Sequence, residues 1–198
     1  MSSLIETLQR ITPWYRDTDY EVIQTFPHGL PFEDVENWLG ALPFQVPQEV
    51  YEIYQWCNGR VNPTAARQMP QTDVYFYNID YMANASVIPL KESVDLWFEN
   101  NDEDQITKTW YHFPVFSHEN GLIVIVGSDQ QQESSPVWDV DWLNDELGKP
   151  VFPNITSMMT GIADVIEAER EFWDDLGYFN DDREYWNVCK SIWKKYRA

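Results

Sequence analysis

Apolar positions near the start of the chain recur at helical spacing. Leu4, Leu8 and Ile11 share one stripe behind Ser3 and Glu6, which fit a capping box, and Pro13 is expected to stop that helix. Pro31-Phe32-Glu33-Asp34 opens a second helix, in which Val35, Trp38, Leu39 and Leu42 fall at i, i+3, i+4 and i+7, with Pro43 beyond it. Pro47 occupies the expected first position of a third, which carries Val50, Ile53, Tyr54 and Cys57 and stops at Asn58-Gly59.

The period then changes to two. Asp73 to Ile79 alternates aromatic and branched residues, and Ser86 to Leu90 reads as another short strand. Leu90, Val94, Trp97 and Phe98 form one face of a helix over Glu92 to Phe98, followed by an acidic loop from Asn100 to Gln105. Trp110 to Phe116 reads as a strand in which Pro114 predicts an edge or a bulge. Asn120-Gly121 predicts a hairpin turn into Leu122 to Val126, a run apolar enough for a central strand buried on both faces. After a polar loop over Ser128 to Ser135, Trp138, Val140 and Trp142 alternate with Asp139 and Asp141. Helical spacing returns over Ile155 to Leu176, with Thr156 or Ser157 as cap and Gly177 as breaker, and over Asn180 to Tyr196. The last helix is acidic at its start and basic at its end (Lys190, Lys194, Lys195, Arg197), as the helix dipole favours. Helices, antiparallel strands and helices in that order predict an α+β fold.

Composition narrows the function. In 198 residues, 13 Lys and Arg stand against 33 Asp and Glu, a formal net charge of −20. This argues against a nucleic-acid partner, which requires a basic surface, and against docking on an anionic membrane. With 10 Trp, 11 Tyr and 10 Phe the chain has ample core material, so high charge here does not mean disorder. No signal sequence or membrane-length apolar run is present, and the two cysteines are too few for a disulfide scaffold, so a cytoplasmic location is expected.

Candidate chemistry is sparse. Asp139 and Asp141 share one strand face about 6.5–7 Å apart, a spacing compatible with metal binding or acid/base catalysis, although alternation alone makes them a solvated face. His112 and His118 lack the companions of a metal site, so no metal or other cofactor is expected; His28 sits in a turn and is given no role. Cys57 and Cys189 lie on apolar stripes as small hydrophobes, and phosphate-loop and nucleophile-elbow motifs are missing. The acids are more informative. No Lys or Arg occurs between Arg16 and Arg60 or between Lys108 and Lys149. Glu99, Asp102, Glu103, Asp104, Asp129, Glu133, Asp139 and Asp141 are the candidate contacts to a basic protein, against the simpler reading of a solubilising surface.

The segment Gly29-Leu30-Pro31, Val35 to Leu39, and Leu42-Pro43-Phe44 through Ile53-Tyr54-Gln55-Trp56-Cys57-Asn58-Gly59 resembles the opening of SMI1/KNR4 (SUKH) domains. Ile88-Pro89-Leu90 with the helix after it, Trp110 to Val126, Val137 to Asp141 and Asn154 to Glu167 resemble that family's later pieces in order. Two departures stand out: Arg60 follows Asn-Gly where the family has a second glycine, and Gly127 falls where an acid often ends the central strand. The resemblance spans residues 28–168, giving a domain over 1–168 with an N-terminal helix and a helical extension of it over 169–198. It implies a mainly antiparallel sheet with helices packed on one side and a non-enzymatic binding domain. Bacterial members are similar to immunity proteins that neutralise toxins, often nucleases. A regulatory adaptor in cell-wall synthesis or signalling is the alternative, and a hydrolase using Asp139 and Asp141 a remote one. The oligomeric state is left open.

Overall fold

The computed structural model describes residues 2–17, 28–59, 86–100, 111–118, 121–141, 150–176 and 182–198. The strand expected over 73–79, most of the acidic loop, Trp110, Trp142 and Gly177 lie outside these residues. Six helices are described: α1 (Ser3–Asp17), α2 (Phe32–Leu39), α3 (Gln48–Trp56), α4 (Leu90–Asn100), α5 (Ile155–Leu176) and α6 (Asp182–Tyr196). Five strands, β1 (Ser86–Val87), β2 (His112–His118), β3 (Gly121–Val126), β4 (Val137–Asp141) and β5 (Pro150–Phe152), form an antiparallel sheet in the order β1-β2-β3-β4-β5. The fold is α+β.

One face of the sheet presents Phe113, Ile123, Ile125, Val137 and Phe152 to a single core shared with all six helices. The extension over 169–198 belongs to that core, because Cys189, Ile192 and Trp193 of α6 are buried in it. Trp193 meets Phe152 edge-on at 5.8 Å, and the Ala198 amide bonds the Val151 carbonyl at 3.1 Å. On the opposite face, Leu122 and Val124 pack with Ile88, Leu96, Trp138 and Val140 in a smaller cluster. β3 is therefore apolar on both faces, as expected of a central strand. The hairpin pairs His118 with Gly121, and the register shifts between Pro114 and Phe116, where the proline removes a ladder donor.

Several local expectations are corrected. Helix α1 runs through Pro13. The proline costs one backbone hydrogen bond, while Leu4, Leu8 and Ile11 are buried in the core that α1 forms with α5. Its cap is Ser2, whose Oγ accepts the Ile5 amide at 3.2 Å, rather than Ser3. Pro47 is the cap of α3 and lies outside its first turn. Strand β1 ends at Val87, and Leu90 already opens α4, because Asn58 Oδ1 accepts the Leu90 amide at 3.0 Å and caps that helix. Trp38 and Phe98 were both expected on buried stripes and are 38% and 47% exposed. Each stands on the flank of an apolar arc already filled by its neighbours. Strand β5 has three residues, too few for alternation to reveal.

The Asn-Gly pair closes the first half of the fold. Gly59 adopts φ 69°, and a Cβ there would lie 2.5 Å from the Pro89 nitrogen and 2.6 Å from the Val87 carbonyl oxygen. Only glycine lets the chain leave α3 this close to β1. The neighbouring Leu30 amide bonds the Tyr54 carbonyl at 2.8 Å, satisfying one of the open carbonyls at the end of α3.

Candidate functional site

The loop between β3 and β4 runs beside the segment that leads into α3. Gln45 and Ser128 exchange backbone hydrogen bonds of 2.8 and 2.9 Å, the Gln48 amide bonds the Gln132 carbonyl at 2.8 Å, and the Glu49 amide bonds the Glu133 carbonyl at 3.3 Å. This ladder holds Asp129 and Glu133 exposed on a fixed backbone. Phe44 fills the space at Gly127, where a Cβ would lie 2.2 Å from its ring, so glycine at the end of β3 makes room for an aromatic. No acid fits there, and Gly127 carries no part of the site.

Phe44 links two further rings. It meets Trp97 of α4 edge-on at 5.2 Å and Tyr111, the residue before β2, at 5.4 Å. Trp97 meets Phe98 at 5.0 Å. Tyr111 is 40% exposed, and its hydroxyl donates to Asp129 Oδ1 at 3.0 Å. That hydrogen bond, together with the aspartate's charge, raises the phenol above its usual range. At the other end of α4, Lys91 pairs with Asp95 at 2.5 Å and lies 5.8 Å from the centre of the Trp38 ring. Helix α2 packs on α4, and α4 on β2. Lys91, Asp95 and Phe98 fall at i, i+4 and i+7 on one face of α4, Trp38 lies at the Lys91 end, and the Trp97–Phe44 pair links the other end to Tyr111 and Asp129.

Of the candidate acids, the structure brings Asp129 into this strip, and Glu99 is exposed on the last turn of α4 beside it. Glu133 is exposed one turn of loop beyond Asp129. Asp102, Glu103 and Asp104 lie outside the described residues, in the segment joining α4 to Tyr111. On β4, Asp139 is placed differently from a fully solvated position. Asp139 stands across from Ile123 on the side of the strand that buries Val137, and it is half-buried; Asp141 pairs with Gly121 at the strand end. His112 and His118 stand at opposite ends of β2, with the His112 ring edge-on to Trp138 at 6.2 Å. Among the described residues no group of three or more His, Cys, Asp or Glu is placed to hold a metal ion.

Two groups escaped sequence reasoning. Trp38, Phe98 and Tyr111 were missed as surface aromatics, because periodicity locates the centre of a buried stripe but not its edge. Glu49 was missed as a buried carboxylate. From α3 it accepts the Thr156 amide at 2.9 Å, the Ile155 amide at 3.2 Å and the Thr156 hydroxyl. Asn154 Oδ1 accepts the Ser157 amide at 2.7 Å, so Asn154 is the local cap of α5, in place of Thr156 or Ser157. Burial raises the Glu49 pKa against the opposing pull of these hydrogen bonds. Each donor is spoken for, which makes Glu49 a tertiary helix cap.

Searched against protein-family models the chain matches none, and among curated proteins no relative matches it. Among the described residues no helix is long and apolar enough to cross a membrane.

Proposed function

We propose that the chain is a protein-binding module of SMI1/KNR4 type, an immunity protein that neutralises a basic, nuclease-type toxin domain. The observation that carries this reading is the strip from Trp38 along α4 to Tyr111 and Asp129, where exposed aromatic rings stand beside carboxylates on a chain of net charge −20. Aromatic anchors within a field of one sign are the ordinary means of fast and specific association with an oppositely charged protein. The residues behind the family resemblance also have definite work in the fold. Asn58 caps α4, Gly59 allows close approach to β1, and Leu30 closes the end of α3.

The reading requires that the chain protect a cell from its toxin. Co-expression with a nuclease toxin domain encoded beside its gene should restore growth, and the purified chain should stop nucleic-acid cleavage by that domain at a one-to-one ratio. Cleavage that continues at a large excess of the chain, across a panel of basic nuclease domains, would refute it.

A further inference from the structure

The geometry points to a specific docking surface for that partner: the strip from Trp38 along α4 to Tyr111 and Asp129 seats an arginine-bearing segment of a basic protein. The inference rests on the reading of the chain as a binder of basic proteins, and names where the contact is made and with what chemistry.

Three observations support this occupant. First, the chain already seats a cation there in the proposed manner. Lys91 lies over the Trp38 ring while pairing with Asp95, so one end of the strip shows a cation held between an aromatic face and a carboxylate. At the other end Phe98 and Tyr111 offer exposed rings, and Glu99 and Asp129 offer carboxylates; among the described residues Asp129 receives only the Tyr111 hydroxyl. A partner's guanidinium can stack on a ring and bond a carboxylate at once, which a lysine cannot do as well.

Second, the surface is preorganised. Phe98 and Tyr111 are both braced by the buried Trp97–Phe44 pair, and Asp129 by the Gln45–Ser128 ladder, so little side-chain freedom remains to be lost on binding.

Third, the charge is distributed to favour it. Lys190, Lys194 and Lys195 sit on α6, with Arg197 just beyond its end; α6 packs on α5 at the β5 side of the molecule, whereas the strip borders β2 near the opposite edge of the sheet. Arg10 is occupied by Asp164 and Glu167. Among the described side chains Lys91 is the cation placed on the strip, and the like charge of its carboxylates disfavours a second copy of the chain as occupant.

The test uses the full chain and deca-arginine as probe, followed by amide and indole NMR at low salt. Saturable shifts should concentrate on Trp38, Phe98, Glu99, Tyr111 and Asp129. The double variant Phe98→Ala/Tyr111→Ala, at exposed positions, should weaken peptide binding about tenfold with its spectrum otherwise preserved. Asp129→Asn should weaken it more than Glu33→Gln, which removes the same charge from an exposed site on α2. Shifts spread over acids throughout the surface, no binding, or unchanged affinity of the double variant would overturn the assignment. Concentration-dependent shifts of the same residues without peptide would overturn it in favour of self-association. Failure here is distinct from failure of the toxin reading: nuclease inhibition unaffected by Phe98→Ala/Tyr111→Ala removes the surface and leaves the function. Peptide shifts on the strip without inhibition of any nuclease domain do the reverse.

Discussion

Glu49 is the one charged side chain buried among the described residues, and its position decides what it does. It supplies acceptors for two amides at the start of α5, where a helix has donors without intrahelical partners. Glu49→Ala should cost about 1–3 kcal/mol by stranding those donors, measured by urea unfolding, whereas Glu49→Gln keeps one acceptor and should cost less. The pH dependence has a definite sign. Burial raises the folded-state pKa above the ordinary 4.5, so the folded protein holds this proton more tightly than the unfolded chain. The resulting stability is complete below the unfolded value and is lost as pH rises through the folded one. Wild type should therefore lose stability relative to Glu49→Gln as pH climbs from 4.5; parallel pH profiles of the two proteins would contradict this. Cys57 gives a second residue-scale prediction. Its thiol is fully buried and pushed up to about 11, so alkylation at pH 8 should leave it unmodified in the native protein and label it only after unfolding, as read by intact mass.

At the scale of elements, α6 is as much part of the core as α3. Trp193 is 2% exposed, and its ring packs against Gly161 of α5 as well as Phe152. Trp193→Ala should cost about 3–5 kcal/mol in thermal or urea unfolding, far more than a peripheral helix would allow. By contrast, replacing Arg10, whose pairs with Asp164 and Glu167 are exposed, should cost about 1 kcal/mol or less. The elements were largely legible in the sequence. Helical periodicity found all six described helices, α4 over Glu92 to Phe98, and the apolar run Leu122 to Val126 found the central strand. The remainder turned on tertiary partners that periodicity does not contain. The cap on α4 comes from Asn58, thirty-two residues earlier in the chain, and the second cap on α5 comes from Glu49. Helix α1 survives Pro13 only because of what it packs against. Of the candidate site, charge runs located Asp129, Glu99 and Glu133, but not the aromatic rings between them. Trp38 and Phe98 look like core residues on a helical wheel, and their exposure is decided by where neighbouring helices stop.

For the whole molecule, the net charge of −20 acquires a direction. Lys190, Lys194 and Lys195 of α6, with Arg197 just beyond it, lie on the β5 side, and the strip of rings and carboxylates lies toward the opposite edge of the sheet. An interface built this way draws its partner by long-range attraction and holds it by short-range ring and carboxylate contacts, so its affinity depends on ionic strength. The most direct measurement is calorimetric titration of the chain into a panel of basic nuclease toxin domains, one encoded beside its own gene included, across a series of salt concentrations. The account predicts one-to-one binding to at least one domain, weakening about tenfold or more between roughly 20 and 300 mM salt. Absence of binding at the lowest salt, or an affinity indifferent to salt, would contradict it.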